Sequence, residues 1–249
     1  MSQNDDFYVG YLPKAPSATA RLVRYVVIIA VAGALSAGVV FVAMQRGFST
    51  ATFEYGTVRT FTGTISAHPA PVLRGNEEGT VDAEGSYLLV APFKHGADDL
   101  VASQDGRAVR LRGTLVNREG RRMIEVVPGS IEATKDSPEA ADEIPLGEID
   151  LVGEIVDSKC WLGVMKPGDR KTHRACASLC IRGGIPPLFV AHGEKGAELV
   201  ALLTSPAGKP VNDHVLSFVA EPVRVRGALS RRGDMLVLRA DPATIERVR

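Results

Sequence analysis

Four residues that commonly bind metals or carry redox chemistry lie close together in the C-terminal half of the chain. They are Cys160, His173, Cys176 and Cys180, and they include all 3 cysteines of the sequence. Residues 169–181 have a composition that favours a helix, and the two glycines and two prolines that follow should end that helix. On that helix the last three members of the set occupy positions i, i+3 and i+7 and share one face. Cys160 can reach this face if the intervening chain folds back, so the spacing predicts one cluster.

Such a cluster is compatible with metal binding, redox chemistry or a structural role. Three thiolates and an imidazole match the ligand number of a tetrahedral zinc site, and copper or iron also accept thiolates. Alternatively, Cys160 pairs with Cys176 or Cys180 in a disulfide, because the last two lie one helical turn apart and would strain the helix if bridged. The remaining thiol would be reactive beside His173, or the disulfide would only hold the segment. Asp157 could accept a hydrogen bond from His173 or orient a metal ligand, and it could equally cap the turn.

The segments around this cluster alternate apolar and polar residues as β-strands do. Residues 109–115 and 123–127 form a hairpin pattern that recurs almost residue for residue at 223–229 and 235–238. The opening strands at 61–65 and 151–155 also match. These matches predict two small β-domains of one ancestry.

The second copy is longer than the first between its opening strand and its closing hairpin. The extra residues, 157–187, contain every cysteine. A glycine-containing first strand, central strands, a connection and a closing hairpin are typical of a five-stranded OB-like barrel. We therefore expect a mainly β protein with a first barrel at 48–134, a linker at 135–147 and a second barrel at 148–249.

Residues 25–44 form an uncharged apolar run bounded by Arg24 and Arg46. At about 1.5 Å per residue this length crosses the roughly 30 Å hydrocarbon core of a bilayer. Because three cations precede the run and one follows it closely, the positive-inside rule favours a cytoplasmic tail at 1–24. We expect a single-pass anchor in a bacterial inner membrane, with both barrels in the periplasm.

Small residues within the predicted span would let a partner helix approach closely, which predicts contact with another membrane protein. These residues are Ala30, Gly33, Ala34, Ala37 and Gly38.

The overall composition disfavours several classes of function. The chain has 29 basic and 29 acidic residues, so it lacks the cationic excess of a nucleic-acid-binding protein. Aromatic residues make up 6% and Trp occurs once, which disfavours a stacking platform. No hydrolase or kinase motif and no haem attachment motif is found, so we lean against an enzyme. The remaining histidines are expected to be surface residues: His68, His95, His192 and His214.

The chain from about residue 148 to residue 249 resembles a bacterial family of exported or membrane-anchored OB-like β-barrel proteins, most specifically between Gly153 and Pro186. The resemblance rests on Cys160 followed by the pattern His-x-x-Cys-Ala-x-x-Cys-Ile-x-Gly-Gly-x-Pro, from His173 onward. It implies an exported location and a shared Cys/His site, and it implies no particular activity.

Taken together, these features predict a membrane-anchored accessory protein with a Cys/His metal site. We expect it to act in metal binding or in support of electron transfer, as a subunit or assembly factor of a membrane oxidoreductase. The first alternative is a thiol–disulfide redox protein that uses the same cysteines. The second is a scaffold subunit with a disulfide-held insertion.

Overall fold

The computed structural model describes residues 15–46, 50–80, 84–134, 143–193 and 197–248. The chain divides into two compact units, 1–48 and 49–249.

The first unit contains one long helix, α1 (Ser17–Arg46). The helix begins after Pro16, whose carbonyl accepts a hydrogen bond from the amide of Ala20 at 2.9 Å. Residues 17–44 have a mean hydropathy of 2.7 in their most apolar window and are long enough to cross a membrane. A signal sequence has the same properties, so α1 could be either a membrane anchor or a signal segment.

The first barrel is a closed sheet whose five long strands follow the order β2-β3-β4-β6-β5 and return to β2. Neighbours are antiparallel except β4 and β6, which are parallel. Helix α2 connects β4 to β5, and two short strands, β1 and β7, pair with β5. The elements are β1 (Thr52–Phe53), β2 (Arg59–Ser66), β3 (Val72–Glu77), β4 (Gly85–Val90), α2 (Asp98–Val101), β5 (Ala108–Arg118), β6 (Arg121–Val126) and β7 (Glu132–Ala133).

The second barrel has the same strand order, β8-β9-β10-β12-β11 and back to β8, with β10 and β12 parallel. Helix α4 occupies the position of α2, and β13 pairs with β11 as β7 does with β5. The predicted fold class, two OB-like barrels after an apolar helix, is confirmed. Common ancestry remains a prediction from the sequence. The elements are β8 (Glu143–Asp157), β9 (Pro187–His192), β10 (Glu198–Thr204), α4 (Asn212–Val215), β11 (Pro222–Arg232), β12 (Met235–Ala240) and β13 (Glu246–Arg247).

The glycine in each opening strand is required by the approach of the next strand. A Cβ on Gly63 would lie 2.1 Å from the Arg74 carbonyl oxygen, and one on Gly153 would lie 2.4 Å from the Val190 carbonyl oxygen. Real Cβ atoms do not approach carbonyl oxygens this closely. Gly63 and Gly153, which align in the sequence, therefore occupy equivalent positions in the two barrels, where the neighbouring strand leaves no room for a side chain.

The connection between the first two strands differs most between the barrels. In the first barrel it is residues 67–71, whereas in the second it is residues 158–186. The longer connection contains one π-helical turn (Cys160–Val164) and helix α3 (Arg170–Arg182). It holds the three cysteines.

The two barrels pack against each other through a shared apolar core. Each barrel also has an interior core of its own, around Leu111 and Phe61 in the first and around Phe189 and Ile155 in the second. The shared core combines Leu88, Val90 and Met123 of the first barrel with apolar residues of β9, β10 and the cysteine-bearing connection.

The predicted linker is partly strand. Residues 143–147 already belong to β8, which pairs along β11 as far as the contact between Glu143 and Arg232. Residues 135–142 lie outside the described part of the chain.

Candidate metal centre

The chain folds back over Cys160 before helix α3 begins. A Cβ on Gly168 would lie 2.4 Å from the Cys160 carbonyl oxygen, so only glycine fits where the returning chain crosses. Asp169 is in an extended conformation, and Arg170, the first residue of α3, has a left-handed φ of 61° before the helix continues to Arg182. This return brings Cys160 against the helix face that carries the other cysteines.

The three cysteine sulfur atoms form one cluster. The Sγ atoms of Cys160, Cys176 and Cys180 all lie within 4.8 Å of one another. Cys160 and Cys180 are buried, Cys176 is partly exposed, and all three are free thiols. The predicted approach of Cys160 to the two helix cysteines is therefore present, and the cluster opens to solvent on the Cys176 side.

His173 lies in a second group with Asp157 and Cys160, whose potential ligand atoms also fall within 4.8 Å of one another. The Asp157 carboxylate contacts the His173 Nε2 atom at 3.1 Å through Oδ2, and its Oδ1 accepts the backbone N–H of Cys160 at 2.8 Å. Both side chains are buried. The predicted set of four thus forms two overlapping groups that share Cys160, with the imidazole on the Cys160 side.

A lysine from the first barrel also contacts the sulfur cluster. Lys94, in the loop between β4 and α2, places its ammonium nitrogen 2.8 Å from Cys176 Sγ and 3.5 Å from Cys180 Sγ. This residue was not among the predicted site residues. Its sequence surroundings give no sign of the contact, because the partners are 82 and 86 residues away.

A second lysine, Lys159, holds the loop that carries Lys94. Its ammonium group donates to the carbonyl oxygens of Ala91 at 2.9 Å and Phe93 at 2.7 Å, and it pairs with Glu125 Oε2 at 2.5 Å. The Lys159 side chain is only 2% exposed. A buried ammonium with three oxygen partners is well compensated, so this lysine fixes the loop backbone beside the cysteines.

The same loop contacts the end of α3 through its backbone. Gly96 N–H donates to the Gly183 carbonyl oxygen at 2.9 Å. A Cβ on Gly183 would lie 1.9 Å from the Lys94 carbonyl oxygen. The two glycines were predicted to end the helix, and Gly183 also leaves room for the first barrel's loop to approach the site.

The protonation of two cysteines is linked by their contact. A hydrogen bond from the Cys160 thiol, assisted by Lys94, lowers the pKa of Cys180 to about 7, although burial opposes this. The same hydrogen bond, followed by burial, raises the pKa of Cys160 well above the ordinary thiol range. The contact with Cys176 raises the pKa of Lys94. Near neutral pH the cluster thus combines an ammonium ion with a thiol that ionises readily.

The single Trp of the chain packs directly behind the site. Trp161 is 1% exposed, and the Arg118 guanidinium lies 3.8 Å from the centroid of its ring. Arg118 also donates to the Trp161 carbonyl oxygen at 3.2 Å. This cation–π contact joins the residue after Cys160 to strand β5 of the first barrel.

The four other histidines are exposed, as the sequence predicted: His68, His95, His192 and His214.

A scan against protein-family models finds no match, and a search of curated proteins finds no significant relative.

The donor set of this site can hold a metal ion. Thiolates are preferred by zinc, Cu(I) and iron–sulfur centres, and three of them converge here with an imidazole on one side.

Proposed function

We propose that this protein binds a thiophilic metal ion through Cys160, Cys176 and Cys180, with His173 as the fourth ligand. The observation that carries the proposal is the convergence of three free sulfur atoms within 4.8 Å of one another. A disulfide uses two sulfurs and leaves the third without a role, whereas a metal ion uses all three. Zinc, copper and iron are the candidate ions, since each accepts thiolate ligands.

The proposed setting is the periplasmic face of a bacterial inner membrane, with α1 as a single-pass anchor. The charge bias in the sequence supports this orientation, because Lys14, Arg21 and Arg24 precede the apolar run and only Arg46 follows it closely. The small residues of α1 would contact a membrane-protein partner. We propose that the protein is an accessory subunit or assembly factor of a membrane oxidoreductase, which the metal site would serve.

Metal content and free thiols of the full-length protein, purified in detergent without metal-affinity steps, test this function. We expect about one equivalent of zinc, copper or iron per chain, the stoichiometry of a single thiolate site. Cys160→Ser and Cys180→Ser should each lose the ion, because each removes a buried ligand. His192→Ala is the matched control, since this histidine is exposed and outside the cluster.

The contrary result is a chain without metal that has one free thiol before reduction and three after it. That outcome would indicate a disulfide between Cys160 and one of the helix cysteines, and it would reject the metal function.

A thiol–disulfide redox function is the second candidate, and the convergence of three free thiols favours it, with the hydrogen bond from Cys160 and the nearby Lys94 ammonium lowering the pKa of Cys180. In this reaction two thiols of the cluster would form a disulfide while a partner's disulfide is reduced to two thiols. The partly exposed Cys176 would attack the partner's disulfide and release one partner thiol, and a buried thiol of the cluster would then displace the second. Rapid oxidation of the metal-free protein by a disulfide reagent, slowed selectively by Cys176→Ser, would support this candidate.

A further inference from the structure

The metal site proposed above includes a cation from the other barrel. Lys94 belongs to the first barrel, whereas the three cysteines belong to the second. Its ammonium nitrogen lies within hydrogen-bonding distance of two of the three sulfurs, at 2.8 Å and 3.5 Å. The contact therefore crosses the boundary between the barrels.

Lys94 is placed there by a rigid support. The carbonyl oxygen of the preceding residue, Phe93, accepts a hydrogen bond from the buried Lys159 at 2.7 Å. Phe93 itself has a φ of 62°, a left-handed conformation that a non-glycine residue adopts only when its surroundings impose it. On the other side, Gly96 is tied to Gly183 at the end of α3. Both flanks of Lys94 are thus fixed by contacts with the cysteine-bearing connection.

The net negative charge of a metal ion bound by three thiolates gives the Lys94 ammonium a role beside the site. Cysteines bind metals as thiolates, so three of them leave a divalent ion with one excess negative charge and a monovalent ion with two. An uncompensated charge is costly in a site where two of the three sulfurs are buried. An ammonium ion against the sulfurs compensates that charge and donates N–H···S hydrogen bonds, as groups around metal ligands commonly do.

We propose that Lys94 is the positioning and charge-compensating residue of the metal–thiolate centre, so that the first barrel completes a site whose ligands come from the second. This inference rests on the proposed metal function. It assigns Lys94 no bond to the metal, because a protonated amine has no lone pair to offer. It also predicts that the affinity of the cysteines for a metal depends on a residue of the other barrel.

The test uses Co²⁺ as a spectroscopic probe of the full-length protein in detergent under anaerobic conditions. Lys94→Met keeps an unbranched side chain, one atom shorter than that of lysine, and removes the charge, and we expect it to weaken Co²⁺ binding about 10- to 100-fold. Because N–H···S hydrogen bonds lower the energy of the sulfur lone pairs, their loss should move the thiolate-to-cobalt charge-transfer band to longer wavelength. Lys94→Arg should restore much of the affinity. Lys171→Met, on the exposed side of α3, is the matched control.

Each alternative result separates this inference from the function on which it rests. If the unaltered protein gives no thiolate-to-cobalt band, the metal function itself fails. If it binds Co²⁺ and Lys94→Met has the same affinity and the same band, the role of Lys94 is rejected while the metal function stands. If Lys94→Met lowers the thermal unfolding midpoint, leaves the band unmoved and is not rescued by Lys94→Arg, Lys94 is only structural and the inference is overturned.

Discussion

At the scale of single residues, Asp157 links the two groups of the candidate site. One carboxylate oxygen accepts the backbone N–H of Cys160, and the other contacts His173 Nε2. Asp157 is fully buried, and His173 is 4% exposed. The carboxylate therefore orients a sulfur ligand and an imidazole together.

Replacing Asp157 should destabilise the fold as well as the site. Asp157→Ala leaves the Cys160 N–H and the His173 ring without their shared buried partner, which costs about 1–3 kcal/mol of unfolding free energy. Chemical denaturation of the metal-free protein measures this loss. Asp169→Ala is the control, because that side chain makes no capping hydrogen bond at the start of α3. Equal stability of the two variants would contradict the assigned role of Asp157.

The cysteines and Lys94 show which site residues a sequence can reveal. Cys176 and Cys180 follow from helical spacing within one element, and Cys160 needs only a local reversal of the chain. Lys94 is contributed by a different barrel and stands in an ordinary loop sequence. Its contact depends on how two folded barrels dock, and no periodicity encodes that.

At the scale of elements, the junction between the Lys94 loop and the end of α3 depends on the absence of a side chain. Gly183 has a φ of −78°, which any residue can adopt, so its requirement is steric. The atom that a Cβ would meet, at 1.9 Å, is the Lys94 carbonyl oxygen.

Gly183→Ala should therefore push the loop away from α3. Overpacking of this kind costs about 1–3 kcal/mol, and we expect a lower unfolding midpoint together with weaker metal binding as Lys94 moves from the sulfurs. Gly193→Ala provides the comparison, since the nearest atoms to its Cβ would lie at an ordinary 3.5 Å. If differential scanning calorimetry gives both variants the same midpoint, the loop is not held at this junction.

The first residue of β8, Glu143, forms an ion pair that should make the stability of the protein depend on pH. Glu143 pairs with Arg239 and Ser230, and the hydrogen bond from Arg239 lowers the pKa of Glu143 to about 2. The unfolded chain protonates a glutamate near pH 4.3. The contribution is thus complete above that pH and is lost as the pH falls toward 2.

Glu143→Gln tests the predicted direction of this pH dependence of stability. The variant should be less stable than the unaltered protein at pH 6, and the difference should shrink between about pH 4 and pH 2 as the native carboxylate becomes protonated. Urea denaturation across this range measures it. Glu148→Gln, an exposed glutamate in the same strand, should track the unaltered protein throughout. A difference that grows toward pH 2 would reverse the predicted sign.

The hairpins of both barrels were predictable because local alternation and turn residues define them. The start of β8 was not, since residues 143–147 carry a linker-like composition. They become strand because β11 is long enough to pair with them.

At the scale of the whole molecule, the two barrels are joined by buried side chains that no single barrel could cover. Leu88 and Met123 of the first barrel pack with Leu188 and Leu202 of the second, next to Cys160. Fold class could be predicted because each barrel has its own periodic pattern. Docking could not, since the apolar residues at the interface resemble those of any half-buried strand.

The position of Lys94 also constrains how such a protein can change during evolution. The support of the site is divided between the barrels, with Lys94 and Glu125 in one and Lys159 and Gly183 in the other. Replacing any one of these four residues would leave a charge without its partner or cause a steric clash. The four positions should therefore vary together among homologous two-barrel chains. A chain that keeps the cysteine segment and lacks the first barrel should carry a replacement cation elsewhere, in its own sequence or in a subunit that covers the cysteines.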